Sequence, residues 1–154
     1  MKKVDLVAVM KDGAEEIRKS FTNPNDDWVP VVMIQTGKAI IPVILEISDD
    51  KEATGRGLET LLRNTGADQA VLVSSSWFVV RDSSGVADCL PVRDQPDRRE
   101  VLVLTHVTRD SMEMMMAEIE RHESSPPTLG SWSEPMDGLA VSGIFADAMR
   151  LGIG

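Results

Sequence analysis

A serine and a histidine on consecutive predicted strands are the residues whose types could form a nucleophilic pair. The stretch VLVSSSWFVV (residues 71–80) contains Ser74, and the stretch EVLVLTHVT (residues 100–108) contains His106. A histidine that takes the hydroxyl proton of a serine makes that serine a nucleophile, as in many hydrolases. A serine inside a strand, however, commits its backbone N–H to the ladder, and no Gly-x-Ser-x-Gly motif occurs in the chain. The favoured interpretation is therefore a cross-strand polar pair on a solvated or partner-facing surface.

Three carboxylates close to the start of the second strand could hold a divalent cation. Asp94, Asp97 and Glu100 lie within the stretch DQPDRRE (residues 94–100). Divalent cations such as Ca²⁺ and Mg²⁺ take carboxylate oxygens as ligands. A solvated, charged turn is the default interpretation, and no cofactor or resident metal is predicted. The Pro-Asp element is similar to that of restriction-type nucleases. The acid-x-lysine that should follow it is absent, which excludes a nuclease site.

The candidate site combines these groups with their neighbours on the same two strands. Ser74 and His106 are the candidate catalytic residues, and the candidate binding residues are Ser76, Trp77, Asp97, Arg98 and Glu100. The grouping depends on an antiparallel pairing in which residue 80 lies near residue 100, so that paired residue numbers sum to about 180. Under that register Ser74 faces His106, with their side chains about 5 Å apart.

The same register also predicts an apolar surface. Odd-numbered side chains of the first strand, including Val73 and Trp77, face the core. The opposite face carries Leu72, Phe78, Leu102 and Leu104 beside the serines. The predicted helices do not cover that face, and an open apolar sheet face usually marks a partner surface. This predicts contact with a protein partner or with a second copy of the chain.

The hydrophobic pattern predicts an α+β fold in which residues 1–154 form a single domain. A single antiparallel sheet of about five strands carries two main helices packed on one face. The order is helix, hairpin, helix, meander and short helix. Apolar residues at spacings of three and four predict the first helix, and they are Val7, Met10, Ala14, Ile17 and Phe21. The second helix is predicted over residues 48–66, and a short terminal helix near residues 142–150.

Two β-rich runs, WVPVVMIQ and AIIPVILEI, predict the hairpin, with Gly37 in the turn between them. Pro30 and Pro42 cannot donate to a ladder, so they should face a sheet edge or a bulge. Residues 112–121 fit either a strand or a helix, and the strand is favoured because apolar residues alternate there. The loop at residues 81–99 is roughly 19 residues long, which exceeds the usual 12 to 15 and suggests function or disorder.

Three short motifs carry a resemblance to a known family. They are SSSW (residues 74–77), PDRREVL (residues 96–102) and PTLGSW (residues 127–132). Together they resemble an uncharacterised family of small bacterial and phage proteins. In that family a Ser-x-x-Trp strand is followed by Pro-Asp-Arg-x-Glu-Val and later by Leu-Gly-x-Trp, and the glutamate usual after the serine is Ser75 here. The resemblance covers the second half of the chain, implies the strand interpretation of residues 112–121, and brings no established activity.

Composition narrows the classes of partner. The net charge is −9, from 25 acidic and 16 basic residues. Because the electrostatic field of a negatively charged protein repels phosphate backbones, this charge argues against nucleic-acid binding. The single cysteine, Cys89, excludes an internal disulfide and fits a reducing cytoplasm. No apolar run approaches the roughly 18 residues of a membrane span. The sequence therefore predicts a cytoplasmic protein with no membrane and no nucleic-acid partner.

The function predicted from these features is that of a non-catalytic interaction or accessory protein that acts as a homodimer. The first alternative is a small hydrolase that uses Ser74 with His106, or a metal bound by Asp94, Asp97 and Glu100. The second alternative is an acidic DNA mimic, which rests on the net charge alone.

Overall fold

The computed structural model describes residues 5–37, 39–46, 49–78, 99–137 and 144–153. The described helices are α1 (Leu6–Ser20), α2 (Lys51–Thr65) and α3 (Ile144–Ile153). The described strands are β1 (Val31–Thr36), β2 (Ala39–Ile44), β3 (Gln69–Phe78), β4 (Arg99–Thr108), β5 (Met112–Glu120), β6 (Thr128–Trp132) and β7 (Met136–Asp137). The predicted long loop lies outside the described residues, apart from Arg99. None of the described helices is both long and apolar enough to cross a membrane.

The strands form one antiparallel sheet in the order β2-β1-β3-β4-β5-β6, and the two-residue β7 pairs with β5. The main sheet has six strands rather than about five, because the PTLGSW segment adds β6 beside β5. A bulge between Ala117 and Ile119 interrupts that pairing. Residues 112–120 form a strand, as their alternation predicted, because Met112 packs into the core on one face while Met115 packs into the core on the other.

Capping side chains explain where α1 and α2 begin. Asp5 accepts a hydrogen bond from the N–H of Ala8 (3.1 Å), and Asp50 accepts one from the N–H of Ala53 (3.0 Å). Each carboxylate satisfies an N–H in the first turn that has no acceptor within its helix. α2 is followed by Gly66 in the left-handed conformation (φ 64°), which glycine adopts without steric conflict.

The two main helices lie on opposite faces of the sheet, so the prediction that both pack on one face is wrong. α1 packs on the face that bears Val71, Val73, Leu102 and Leu104. α2 and α3 pack on the face that bears Ile34, Ala70, Leu72 and Val107. The reason lies in β3, where four consecutive residues from Ala70 to Val73 are apolar and buried. A strand that is apolar on both faces needs a covering layer on each.

The open apolar sheet face predicted from the sequence does not form. Leu72 lies in the core under α2, whereas Leu102 and Leu104 lie in the core under α1, and all three are buried. The side chain of Phe78 is outside what the structure describes. Because these leucines belong to two separate cores, they cannot form the predicted partner surface.

Candidate functional site

The observed register separates the predicted nucleophilic pair. Ser74 pairs with Val103, and His106 pairs with Val71, so paired residue numbers sum to 177 rather than about 180. Because side chains alternate between faces, an odd shift moves every β4 side chain to the other face relative to β3. Ser74 therefore lies on the α2 face and His106 on the α1 face. The predicted Ser74–His106 pair is wrong, because a connection of twenty residues does not impose a register on the strands it joins.

The other candidate residues of the two strands are not brought together either. Ser76 pairs with Val101 and shares the α2 face with Ser74, whereas Glu100 shares the α1 face with His106 at the far end of β4. Trp77 pairs with Glu100 in the ladder, and nothing further is described of its side chain. The hydroxyl of Ser75 lies on the α1 face and donates to the carboxylate of Asp27 (3.2 Å).

The predicted cation site falls mostly outside the described residues. Asp94, Asp97 and Arg98 are not among them, and Cys89 is not either. Within the described ranges no group of three metal-ligating side chains occurs. Glu100 is described, and its carboxylate is engaged by an arginine. Metal binding by Asp94, Asp97 and Glu100 therefore stays a prediction.

Arg121 joins three parts of the chain at the end of the sheet where β4 begins. Its Nε donates to Glu100 Oε1 (2.7 Å), and its Nη2 donates to Glu100 Oε2 (3.1 Å). Its Nη1 donates to the carbonyl oxygen of Asp26 (2.6 Å), and Nη2 lies 3.4 Å from Asp27 Oδ1. We call Asp27, Ser75, Glu100 and Arg121 the Arg121 cluster.

Arg121 is the one cation in the Arg121 cluster and forms ion pairs with both of its carboxylates, those of Glu100 and Asp27. Hydrogen bonds to Glu100 raise the pKa of Arg121 above its usual value, and they outweigh the opposing effect of partial burial. The neighbouring Asp26 carboxylate accepts the backbone N–H of Asn23 (3.0 Å) and of Thr22 (2.8 Å), which lowers the pKa of Asp26. A carboxylate that already accepts an arginine fork is a poor general base. The cluster therefore holds the segment before β1 against the sheet.

A second polar group crosses three strands on the α1 face. Gln35 of β1 and Gln69 of β3 are directly paired and both are buried, at 7% and 3% exposure. Gln69 donates its Nε2 to Gln35 Oε1, and His106 Nε2 lies 2.7 Å from Gln69 Oε1. We call Gln35, Gln69 and His106 the polar row. Sequence reasoning missed both glutamines, although each is a polar residue at an inward position of an otherwise apolar run.

The hairpin carries most of the exposed apolar side chains. Among the described residues four large apolar side chains are exposed: Val29 (49%), Ile41 (37%), Ile44 (69%) and Leu151 (59%). The first three lie on β2 or just before β1, and Pro42 between the two isoleucines is exposed as well. We call Val29, Ile41, Pro42 and Ile44 the hairpin patch. β2 is the outer strand of the sheet. Ile44 is exposed on the α1 face and Ile41 on the α2 face, whereas Ile40 and Val43 pack partly against the two cores.

Pro42 is at the sheet edge, as predicted, and its orientation follows from the ladder. The N–H of Leu45 donates to the carbonyl of Pro30 (2.8 Å), so residue 45 points its backbone groups toward β1. Because backbone direction alternates along a strand, residues 43, 41 and 39 do the same, and residues 40, 42 and 44 point outward. Pro42 therefore occupies the central outward position and has no N–H to offer. It weakens the edge as a template for another strand without removing a bond to β1.

Replacing Pro42 by threonine is expected to make the protein associate through its sheet edge. The change restores an outward N–H donor between those of Ile40 and Ile44 and adds a residue with high strand propensity. Light scattering should then rise with time and concentration. Ala39→Thr is the matched control, because residue 39 is exposed but points its N–H toward β1. Equal scattering from the two variants would contradict the role assigned to Pro42.

Comparison with protein-family models, with curated proteins and with solved structures gives no match to this chain. The resemblance to a family of small bacterial and phage proteins therefore stays a prediction. Two residues of the motifs that carry it have packing roles in the fold. Glu100 binds Arg121, and Trp132 packs with the α1 core, with Lys11 Nζ 5.8 Å from its ring centroid.

Proposed function

We propose that the protein is a non-catalytic interaction or accessory protein that acts as a homodimer through the hairpin patch. The observation that carries this proposal is the row of exposed apolar side chains along the edge strand, with Ile44 on the α1 face and Ile41 on the α2 face. Three of the four large exposed ones among the described residues lie on or beside one hairpin. A cluster of this kind on an outer strand, with water on its open side, is typical of a protein contact surface.

Charge supports a second copy of the chain as the partner. Two chains that each carry −9 repel one another over most of their surfaces. The hairpin patch is the exception, because residues 39–45 (AIIPVIL) and residues 28–32 (WVPVV) contain no charged residue. Contact between two such patches therefore brings no like charges together. Because Pro42 obstructs strand addition, the contact is made by side chains, which limits assembly to a closed dimer rather than an extended sheet.

Of the two versions of the hydrolase alternative, the one that uses Ser74 with His106 does not fit the observed register. A nucleophilic Ser74 needs a histidine within hydrogen-bond reach, and His106 lies on the other face of the sheet. The metal-dependent version depends on Asp94 and Asp97 and stays a prediction, as does the acidic DNA mimic. For the metal-dependent enzyme and for the DNA mimic, the described residues contain no group of side chains that supports the function as the hairpin patch supports a protein contact.

Replacing Ile44 by glutamate is expected to dissociate the homodimer. Ile44 is the most exposed of the large apolar side chains, and a buried charge at its position would face a second copy of itself across a two-fold axis. The dissociation constant from sedimentation velocity should rise by about 100-fold, as for the loss of a central contact residue.

Leu151→Glu provides the matched control for this experiment. Leu151 is also exposed, but it lies on α3, away from the hairpin. That variant should sediment as the unmodified protein does. A monomeric unmodified protein across micromolar concentrations would contradict the proposal, and so would equal weakening of the dimer by the two glutamates.

A further inference from the structure

A pocket of about 450 Å³ lies between the end of α1 and the connection from β5 to β6. Its lining includes the side chains of Arg18, Lys19 and His122, and we call it the α1-end pocket. No carboxylate is among the described residues that line it. Because the whole chain carries −9, most of its surface repels anions, and a local group of cations is where an anion can bind.

The cations of the α1-end pocket are only partly used within the protein. Arg18 donates its Nε to Glu15 Oε2 (2.9 Å), whereas its Nη1 and Nη2 make no hydrogen bond to a described residue. Lys19 Nζ lies 3.2 Å from Glu16 Oε1, and an ammonium group has three donors. Neither glutamate lines the pocket. Arg18 can therefore present two N–H groups side by side to an oxyanion, which is how arginine binds phosphate and carboxylate groups.

Residues 122–128 supply polar groups on the other side of the α1-end pocket. His122 Nε2 lies 3.0 Å from Thr128 Oγ1, a contact that holds the ring against the start of β6. Thr128 Oγ1 also lies 3.5 Å from Glu120 Oε2, and Glu120 is outside the lining. The side chain of Ser125 lines the pocket as well. Polar groups thus come from two sides, which suits a tetrahedral oxyanion better than a planar carboxylate.

The remaining lining of the pocket is apolar and held in place. It consists of Phe21, Pro126 and Pro127. The ring of Phe21 packs edge-on against that of Trp28, with the ring centroids 4.9 Å apart and an angle of 78° between the planes. Proline has a fixed φ angle, so two in succession form a stiff segment, and Pro127 is buried. An apolar wall that is rigid before binding loses little entropy when a ligand packs against it.

We infer that the α1-end pocket binds a small phosphate monoester whose organic group is flat and apolar. The phosphate oxygens accept from Arg18 and Lys19, and from the hydroxyl of Ser125. The organic group packs against Phe21 and the two prolines. The volume is that of a small-molecule site, since such pockets measure about 300 to 1,000 Å³. An inorganic ion alone would leave the apolar wall uncovered. The hairpin patch takes no part in this site, so the inference does not depend on the homodimer.

Amide NMR of the full chain during titration with phenyl phosphate tests this inference. At about pH 7.5 a phosphate monoester carries nearly two negative charges, because its second pKa is about 6. The amide signals of Phe21, Ser125 and Thr128 should shift with one dissociation constant, and those of α3 should not. Inorganic phosphate should bind at the same place about tenfold more weakly, because it lacks the ring. Benzoate should also bind more weakly than phenyl phosphate, because it carries a single charge and two oxygens.

Replacing Arg18 by glutamine should weaken the binding of phenyl phosphate by about tenfold, as for the loss of a hydrogen bond to a charged group. The variant should fold, since the pair of Arg18 with Glu15 is partly exposed and such pairs contribute little to stability. Lys19→Gln should weaken binding in the same direction, by about threefold, because Lys19 is more exposed.

Arg56→Gln is the matched control. Arg56 also lies on a helix, and its replacement changes the net charge equally, but it lines a different pocket together with Glu52, Glu59 and Asp147. Its loss should leave the binding of phenyl phosphate unchanged. The inference would be overturned by an absence of shifts at the α1-end pocket, or by equal weakening from Arg18→Gln and Arg56→Gln. Binding of benzoate or inorganic phosphate as tight as that of phenyl phosphate would overturn it as well.

Discussion

Replacing Gly152 by alanine is expected to destabilise the protein by about 2 to 3 kcal/mol. A Cβ at this position would lie 2.8 Å from Leu62 Cβ and 2.9 Å from the carbonyl oxygen of Glu59. Both atoms belong to α2: the Glu59 oxygen is part of its backbone, and the Leu62 Cβ is bonded directly to it. Neither atom can move aside unless the helix moves. The free energy of unfolding, measured in denaturant, should fall although alanine favours a helix more than glycine does.

Gly57→Ala is the matched control for this change. Gly57 lies in the interior of α2 and is exposed, and a Cβ there would meet nothing within 4 Å. This variant should gain about 0.5 to 1 kcal/mol from helix propensity alone. If Gly152→Ala were stabilised to the same degree, the close packing of α3 on α2 would be refuted.

Replacing Arg121 by methionine is expected to destabilise the protein by about 2 kcal/mol. Methionine keeps most of the apolar stem, so the loss reports on the guanidinium. Its removal leaves the carboxylate of Glu100, a side chain that is only 15% exposed, without its arginine partner. The carbonyl of Asp26 and the carboxylate of Asp27 each lose an interaction as well. A double-mutant cycle with Glu100→Gln should return a coupling of about 1 kcal/mol or more.

Arg99→Met provides the comparison for this second change. Arg99 and Glu118 also form an ion pair, but their charged atoms are 4.0 Å apart and both side chains are more than half exposed. An exposed pair of this kind contributes at most about 0.5 kcal/mol. If the two arginine changes lowered the free energy of unfolding equally, Arg121 would contribute no more than an exposed surface charge. The stabilising role assigned to the Arg121 cluster would then be contradicted.

The elements of the fold were predictable because local patterns determine them. Spacings of three and four predicted α1, and the two β-rich runs around Gly37 predicted the hairpin. Pro42 predicted a sheet edge because proline lacks the N–H that an inner strand must donate. Each of these inferences needs only neighbours in the sequence.

The arrangement of the candidate site was not predictable in the same way. A change of three in the register of β4 against β3 places Ser74 and His106 on opposite faces, and loop length does not determine that number. The role of Arg121 depends on contacts to residues 95 to 97 positions away in the chain and to Glu100. Gln35 and Gln69 were each visible as polar residues in apolar strands, but their pairing depends on the β1–β3 ladder.

Isoleucine methyl spectra recorded on dilution from high to low micromolar concentration test self-association through the hairpin patch most directly. The methyl signals of Ile41 and Ile44 should shift together with a single dissociation constant. Those of Ile119 and Ile153, buried in the two separate cores, should stay where they are. Signals that do not change with concentration, or changes confined to α3, would show that the hairpin patch is not where two copies of this chain meet.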